Sequence, residues 1–162
     1  MPVAEPVGLR DRDRLLDLVG LLARLVLGVV LVVAGALKVT SPASSALAVR
    51  AYQLLPYDVA GVIGHALPVV EIAVGLLLVL GLFTRAAAVV GGLLMVAFLI
   101  GIISAWARGL TIDCGCFGGG GTIAAAQTHY LSETLRDVGL ALCAVWLVPR
   151  PHTALSLDGR LF

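Results

Sequence analysis

Residues 59–106 read VAGVIGHALPVVEIAVGLLLVLGLFTRAAAVVGGLLMVAFLIGIISAW. Two long apolar runs, Val59–Phe83 and Ala86–Trp106, are separated only by Thr84 and Arg85. Each run is long enough to cross a hydrocarbon core of about 30 Å, which takes roughly 20 residues of helix. A link that short forces the two helices antiparallel, as a transmembrane hairpin. Working outward, Leu18–Val39 is a third apolar run, too long for a signal peptide and ending in Lys38 and Pro42. The unbroken apolar stretch Val138–Val148 is short, so a helix through it must begin near Leu131 to cross the membrane. That start places Glu133, Arg136 and Asp137 in its first turns.

Composition agrees with lipid as the solvent. Of the 162 residues 60% are hydrophobic and 13% charged, and mean hydropathy is +1.05. A soluble domain has about 25% charged residues. The net charge of +1 argues against a nucleic-acid partner. The fold expected is all-α: an integral membrane four-helix bundle over residues 18–148. A polar tail, 1–17, precedes it, and a second tail, 149–162, follows Pro149 and Pro151. Ser41–Ala60 is too polar to span. Its Ala46, Leu47, Val49, Leu54 and Leu55 could form one apolar face lying along the interface.

Basic residues set the orientation, because cytoplasmic loops carry the excess of Lys and Arg. With both termini inside, Arg10, Arg12, Arg14, Arg24, Arg85, Arg150 and Arg160 are cytoplasmic, against Lys38, Arg50, Arg108 and Arg136 outside. Both termini are therefore expected in the cytoplasm. The loop between the third and fourth helices faces outward.

That loop carries the chemistry. It reads Asp113-Cys114-Gly115-Cys116-Phe117, followed by Gly118–Gly121. Two thiols one residue apart on the oxidising side of a membrane suggest a catalytic redox pair. Gly115 gives the backbone freedom for a small disulfide ring. A permanent disulfide and two idle thiols are the plainer readings. No metal is expected: two cysteines leave a tetrahedral shell half empty, and Asp113, His65 or His129 would have to complete it. Cys143, in an apolar run, reads as a packing residue. Of the pair, Cys116 is expected to meet a partner and Cys114 to resolve, since Asp113 adjoins Cys114. Arg108 is the expected source of nearby positive charge.

Glu71 lies mid-span, where an unpaired carboxylate is costly, so it is a functional candidate by default. Arg24, Lys38 and Arg136 are its candidate partners in a proton or charge network. His65, on the same span, is a candidate proton carrier, more often simply interfacial. Asp137 or Glu133 is expected to pair locally with Arg136. Gly28, Gly35, Gly75, Gly81, Gly91 and Gly92 read as close-packing positions between helices.

These residues together carry a resemblance. Arg24-Leu-Val-Leu-Gly28, Ala34-Gly35-Ala-Leu-Lys38, Leu67-Pro68-x-x-Glu71-x-x-x-Gly75 and Gly81-Leu-Phe-Thr-Arg85 resemble the DoxX-like membrane proteins. The Asp113–Gly118 loop resembles the branch of methylamine utilisation protein MauE, over about residues 20–148. The resemblance implies a multi-pass protein of the bacterial plasma membrane with a role in extracytoplasmic thiol chemistry beside a thioredoxin-like partner. It implies support for maturation of a disulfide-rich protein, as in methylamine dehydrogenase biogenesis. The plan is also similar to that of DsbB and vitamin K epoxide reductase, which makes a quinone a candidate electron carrier. Those families use two cysteine pairs where this chain has one. A non-catalytic membrane subunit of a redox complex is the alternative. A small transporter is a third class, less favoured with a single acid deep in the membrane.

Overall fold

The computed structural model describes the backbone of residues 7–124, 128–151 and 156–157. Five helices and one two-stranded ribbon appear among them: α1 (Val7–Val39), α2 (Pro42–Ala51), α3 (Tyr57–Leu80), α4 (Thr84–Ala107), β1 (Ile112–Asp113), β2 (Gly121–Thr122) and α5 (Tyr130–Leu147). Three of the helices are long and apolar enough to cross a membrane: α1 from Arg14 to Val39, α3 and α4. α5 has 18 residues, about 27 Å of helix, and carries Glu133, Arg136 and Asp137 near its start. It begins at Tyr130, beside the expected Leu131. The charged segment before Leu18 was expected to be a tail or a short surface helix. From Val7 onward it continues α1 without a break. Residues 1–6 and most of 152–162 lie outside the described residues.

α1 packs along α3 and α4 along α5, while α1 also meets α5 and α3 meets α4. The shared core contains Leu27 and Leu31 of α1, Leu78 of α3, Met95 of α4, and Leu140 and Leu147 of α5. On α1, Leu15, Leu18, Leu22, Val26, Val29, Val33 and Leu37 all point outward, as does Leu93 of α4. An apolar stripe of that extent at helical spacing is what a lipid-facing surface requires.

Small residues bring the backbones close, as the glycines of the sequence suggest. A Cβ on Gly75 would lie 2.7 Å from the Gly28 carbonyl oxygen and 2.8 Å from Val32 N. A Cβ on Gly35 would lie 2.7 Å from the Pro68 carbonyl oxygen. α3 and α4 are joined across Gly81, which takes φ 68° and closes the end of α3 by N–H donation to Leu78 O, while Leu82 N–H donates to Leu77 O.

Pro68 sits inside α3 and has no N–H to offer the carbonyl of Gly64, four residues earlier. The Ser45 hydroxyl of α2 donates to that carbonyl at 2.6 Å. The polar α2 segment is thereby tied to the bundle through buried Ser45, Ala46 and Ala48. Leu47, Leu54 and Leu55 of the expected apolar face remain exposed.

Candidate functional site

Cys114 and Cys116 sit in a loop held at both ends. β1 and β2 pair antiparallel, Ile112 with Thr122 and Asp113 with Gly121, so residues 114–120 form the tip of a short ribbon. Tyr130, the first residue of α5, anchors its base: its hydroxyl donates to Leu110 O at 2.6 Å and accepts from Ile112 N–H at 3.1 Å. Tyr52, just past α2, donates to the carbonyl of Cys114 at 3.0 Å. Burial and the nearby sulfur charge push the Tyr52 hydroxyl far above its usual range, which keeps it a donor. Arg108 donates to Tyr52 O and to Ser104 O, and so fixes Tyr52 in place. Gly101 leaves the room for the Tyr52 ring, since a Cβ there would stand 3.2 Å from it. Tyr52 gives no local signal in the sequence, because its partner is 62 residues away.

The loop can fold back against α2 only because of its glycines. Gly115 takes φ 68°, and a side chain there would run into Ala48. Gly120 takes φ 146°, and a Cβ there would lie 2.9 Å from the Cα of Ala48.

Both cysteines are free thiols, each 7% exposed. Cys116 N–H donates to Cys114 Sγ at 3.2 Å. Donation from the Cys116 thiol draws the Cys114 pKa below that of an ordinary cysteine against the effect of burial, and Arg136 adds to this. The same hydrogen bond, with burial, pushes Cys116 well up. The electrostatics therefore make Cys114 the more acidic thiol and Cys116 the less acidic one, the reverse of the order expected from the neighbouring Asp113. The cation beside the sulfurs is Arg136 of α5, and Arg108 is engaged elsewhere.

The expected charged residues fall into two groups. Lys38 Nζ donates to Glu71 Oε1 at 2.5 Å, and both side chains are buried. Arg136 pairs instead with its neighbour Asp137, Nε to Oδ1 at 2.8 Å, and lies 4.9 Å from the centre of the Phe117 ring. Arg24 is buried near Gly81 and Ser156, near the middle of α1 and about 21 Å of helix from Lys38. A narrow cavity of about 10 Å³ joins the two pairs to the loop. Its walls include Glu71, Cys116, Phe117, Arg136 and Asp137.

His65 and His129 share no hydrogen bond with the sulfurs among the described residues. His65 Nδ1–H donates to Gly61 O at 2.7 Å, and the ring lines an open depression with Arg50 and Asp58. His129 is exposed at the start of α5. Asp113, Cys114 and Glu133 place donor atoms within 4.8 Å of one another, one fewer than a tetrahedral shell needs. Cys143 packs partly buried against the bundle core.

No curated protein and no solved structure matches the chain. A family model does: methylamine utilisation protein MauE matches residues 16–150, nearly the whole helical unit and both cysteines, and the chain belongs to that family.

Proposed function

We propose that this chain is a four-span protein of the bacterial plasma membrane, with both termini cytoplasmic, whose Cys114–Cys116 pair exchanges disulfides with a thioredoxin-like extracytoplasmic protein. Membership of the family implies a role in methylamine utilisation. On this reading the role is maturation of a disulfide-containing extracytoplasmic protein, as in methylamine dehydrogenase biogenesis. The observation that carries it is the placement of the two thiols: Cys116 N–H donates to Cys114 Sγ at 3.2 Å, and Arg136 shares a cavity with Cys116 and Phe117, an arrangement that lowers the pKa of Cys114 and raises that of Cys116.

Thiol–disulfide exchange is attack by a thiolate on a disulfide sulfur. The Cys114 thiolate attacks one sulfur of the partner's disulfide, and the partner's other sulfur leaves as a thiolate, which takes a proton from water. Cys116 then gives up its proton and attacks Cys114 Sγ. The partner leaves fully reduced, and Cys114 and Cys116 end as a disulfide. Two electrons have passed to the partner. A dithiol reductant returns the pair to its starting state, and the reverse sequence oxidises a dithiol. The cavity beside Cys116, about 10 Å³, is far smaller than the roughly 300–1,000 Å³ of ordinary small-molecule sites, and no step is routed through a quinone.

The test is trapping. Cys116→Ser should accumulate a mixed disulfide through Cys114, visible on a non-reducing gel and lost on reduction, whereas Cys114→Ser should not. If neither variant captures a partner, the exchange reading falls. The burial of both sulfurs favours a second reading, a non-catalytic membrane subunit whose loop is a structural plug. That reading stands if both cysteines can be replaced together without loss of function.

A further inference from the structure

Once Cys114 has formed a mixed disulfide, its sulfur is no longer an anion, and the Cys116 thiol keeps only a long contact, 4.0 Å, to the carbonyl oxygen of Cys114. A thiol must ionise before it attacks, and Cys116 is buried away from water. The proton needs a base inside the protein.

We propose that Asp137 is that base: it takes the Cys116 proton during the second exchange step. Asp137 and Cys116 line the same cavity. Asp137 is 2% exposed, and its Oδ1 accepts from Arg136 Nε. Its other oxygen, Oδ2, is buried and has no hydrogen-bond partner among the described residues. A buried carboxylate oxygen without a donor is costly, and a protein that retains one at a thiol-lined cavity has an acceptor ready for a proton. Arg136 is the positioning residue, fixing the carboxylate by its first oxygen.

The charged surroundings bear on this assignment from every side. α1 contributes Lys38, whose charge reaches Asp137. α3 contributes Glu71, whose Oε1 is bound to Lys38 and whose Oε2 is unpartnered among the described residues like Asp137 Oδ2; of the two acids it is Asp137 whose charge is felt at Cys116. α4 presents uncharged Met95 and Phe98 to the cavity. The segment after α2 contributes Tyr52, held protonated by burial. On α5 itself Glu133 lies beside Cys114 rather than Cys116, so it serves the first sulfur, while the charge of Asp137 is felt by the second. The ribbon loop contributes the two thiols and Asp113, whose Oδ1 accepts from Gly115 N–H.

In the second step the Cys116 S–H bond breaks, its proton passes to Asp137 Oδ2, and the thiolate forms a sulfur–sulfur bond with Cys114. The leaving sulfur of the partner departs as thiolate and is protonated from water, and Asp137 later returns its proton to solvent through the opened loop. Electrons balance as in ordinary exchange, with the attacked disulfide as the only oxidant.

This inference rests on the exchange reading above, and one experiment separates their failures. Full-length protein in detergent, with Cys143→Ala so that two thiols remain, is mixed with dithiobis(nitrobenzoate). Attack by Cys114 releases one coloured thionitrobenzoate, and attack by Cys116 on the resulting mixed disulfide releases the second. In Asp137→Asn the ratio of second to first rate should fall by roughly a hundredfold near neutral pH, the size expected when a proton acceptor is lost. Asp137→Glu should recover most of it. A ratio unchanged in folded Asp137→Asn overturns the assignment. The parent protein gives an independent reading where Asp137→Asn does not fold. Its second phase should level off with rising pH once the internal base is ionised and stay flat up to about pH 9; a rise of about tenfold per pH unit that continues to pH 9, the behaviour of an unassisted thiol, also overturns it. Absence of both phases in the parent protein defeats the exchange reading itself.

Discussion

Lys38 Nζ donates to Glu71 Oε1 across 2.5 Å, tying the last turn of α1 to the middle of α3. The two side chains are 3% and 0% exposed, and Lys38 also lies 5.2 Å from the centre of the Phe98 ring. Removing one member of a buried ion pair strands the other, at about 3–5 kcal/mol, whereas replacing both by apolar residues is often neutral or stabilising. Glu71→Gln and Lys38→Met should each lower the melting temperature in detergent. Lys38→Met with Glu71→Leu should recover most of the loss. If the double variant melts as low as the sum of the singles, the pair is not the source of the coupling.

Ser45 and Pro68 form a similar couple through the Gly64 carbonyl. Ser45→Ala leaves that buried oxygen without a donor, an expected cost of about 1–3 kcal/mol. Pro68→Ala restores the N–H that α3 lacks. A double-mutant cycle should therefore show Ser45→Ala to be much less damaging in the Pro68→Ala background. Equal cost in both backgrounds would mean that α2 is held by something other than this bond.

The proposed sidedness has its own test. Lys38, the cysteine loop and α2 share one end of the bundle, while Arg24, Gly81 and Ser156 share the other. Reporter fusions after Phe83 and after Val148 should read cytoplasmic, and a fusion near Gly120 should read external. An external signal after Phe83 would invert the whole arrangement.

The apolar runs located α3 and α4 in advance, because burial in lipid leaves its mark on every residue of a span; the link itself lies earlier than expected, at Gly81, Leu82 and Phe83, and Thr84 and Arg85 belong to the first turn of α4. Glu71 was legible for the same reason: a carboxylate in such a run needs a partner, and Lys38 was among three candidates. Choosing between them needed the register of α1 on α3, which Gly28, Gly35 and Gly75 set through backbone contact. The cysteine pair stood out in the sequence, but which of its thiols is the more acidic did not. That order depends on Cys116 donating toward Cys114 and on Arg136 arriving from α5, both products of the folded chain. The part played by Tyr52 and the docking of α2 onto the bundle were missed because their partners, the Cys114 and Gly64 carbonyls, are backbone atoms.

The ordering of the thiols makes a prediction that needs no partner protein. Only the thiolate is alkylated, so the pH profile of iodoacetamide labelling reports which sulfur ionises first. Because the Cys114 pKa is lowered, its labelling should already be substantial below about pH 8.5, where an ordinary cysteine is half ionised. Peptide mapping should place the first label on Cys114 and not on Cys116. The largest contribution comes from the Cys116 thiol, so Cys116→Ala should move the profile to higher pH: without the donor, the thiolate loses its main stabilisation. Arg136→Gln should move it in the same direction by a smaller amount, since its contribution ranks lower. A profile that shifts to lower pH in Cys116→Ala, or a first label on Cys116, would return the leading role to Cys116 and undo the assignment of nucleophile and resolving thiol.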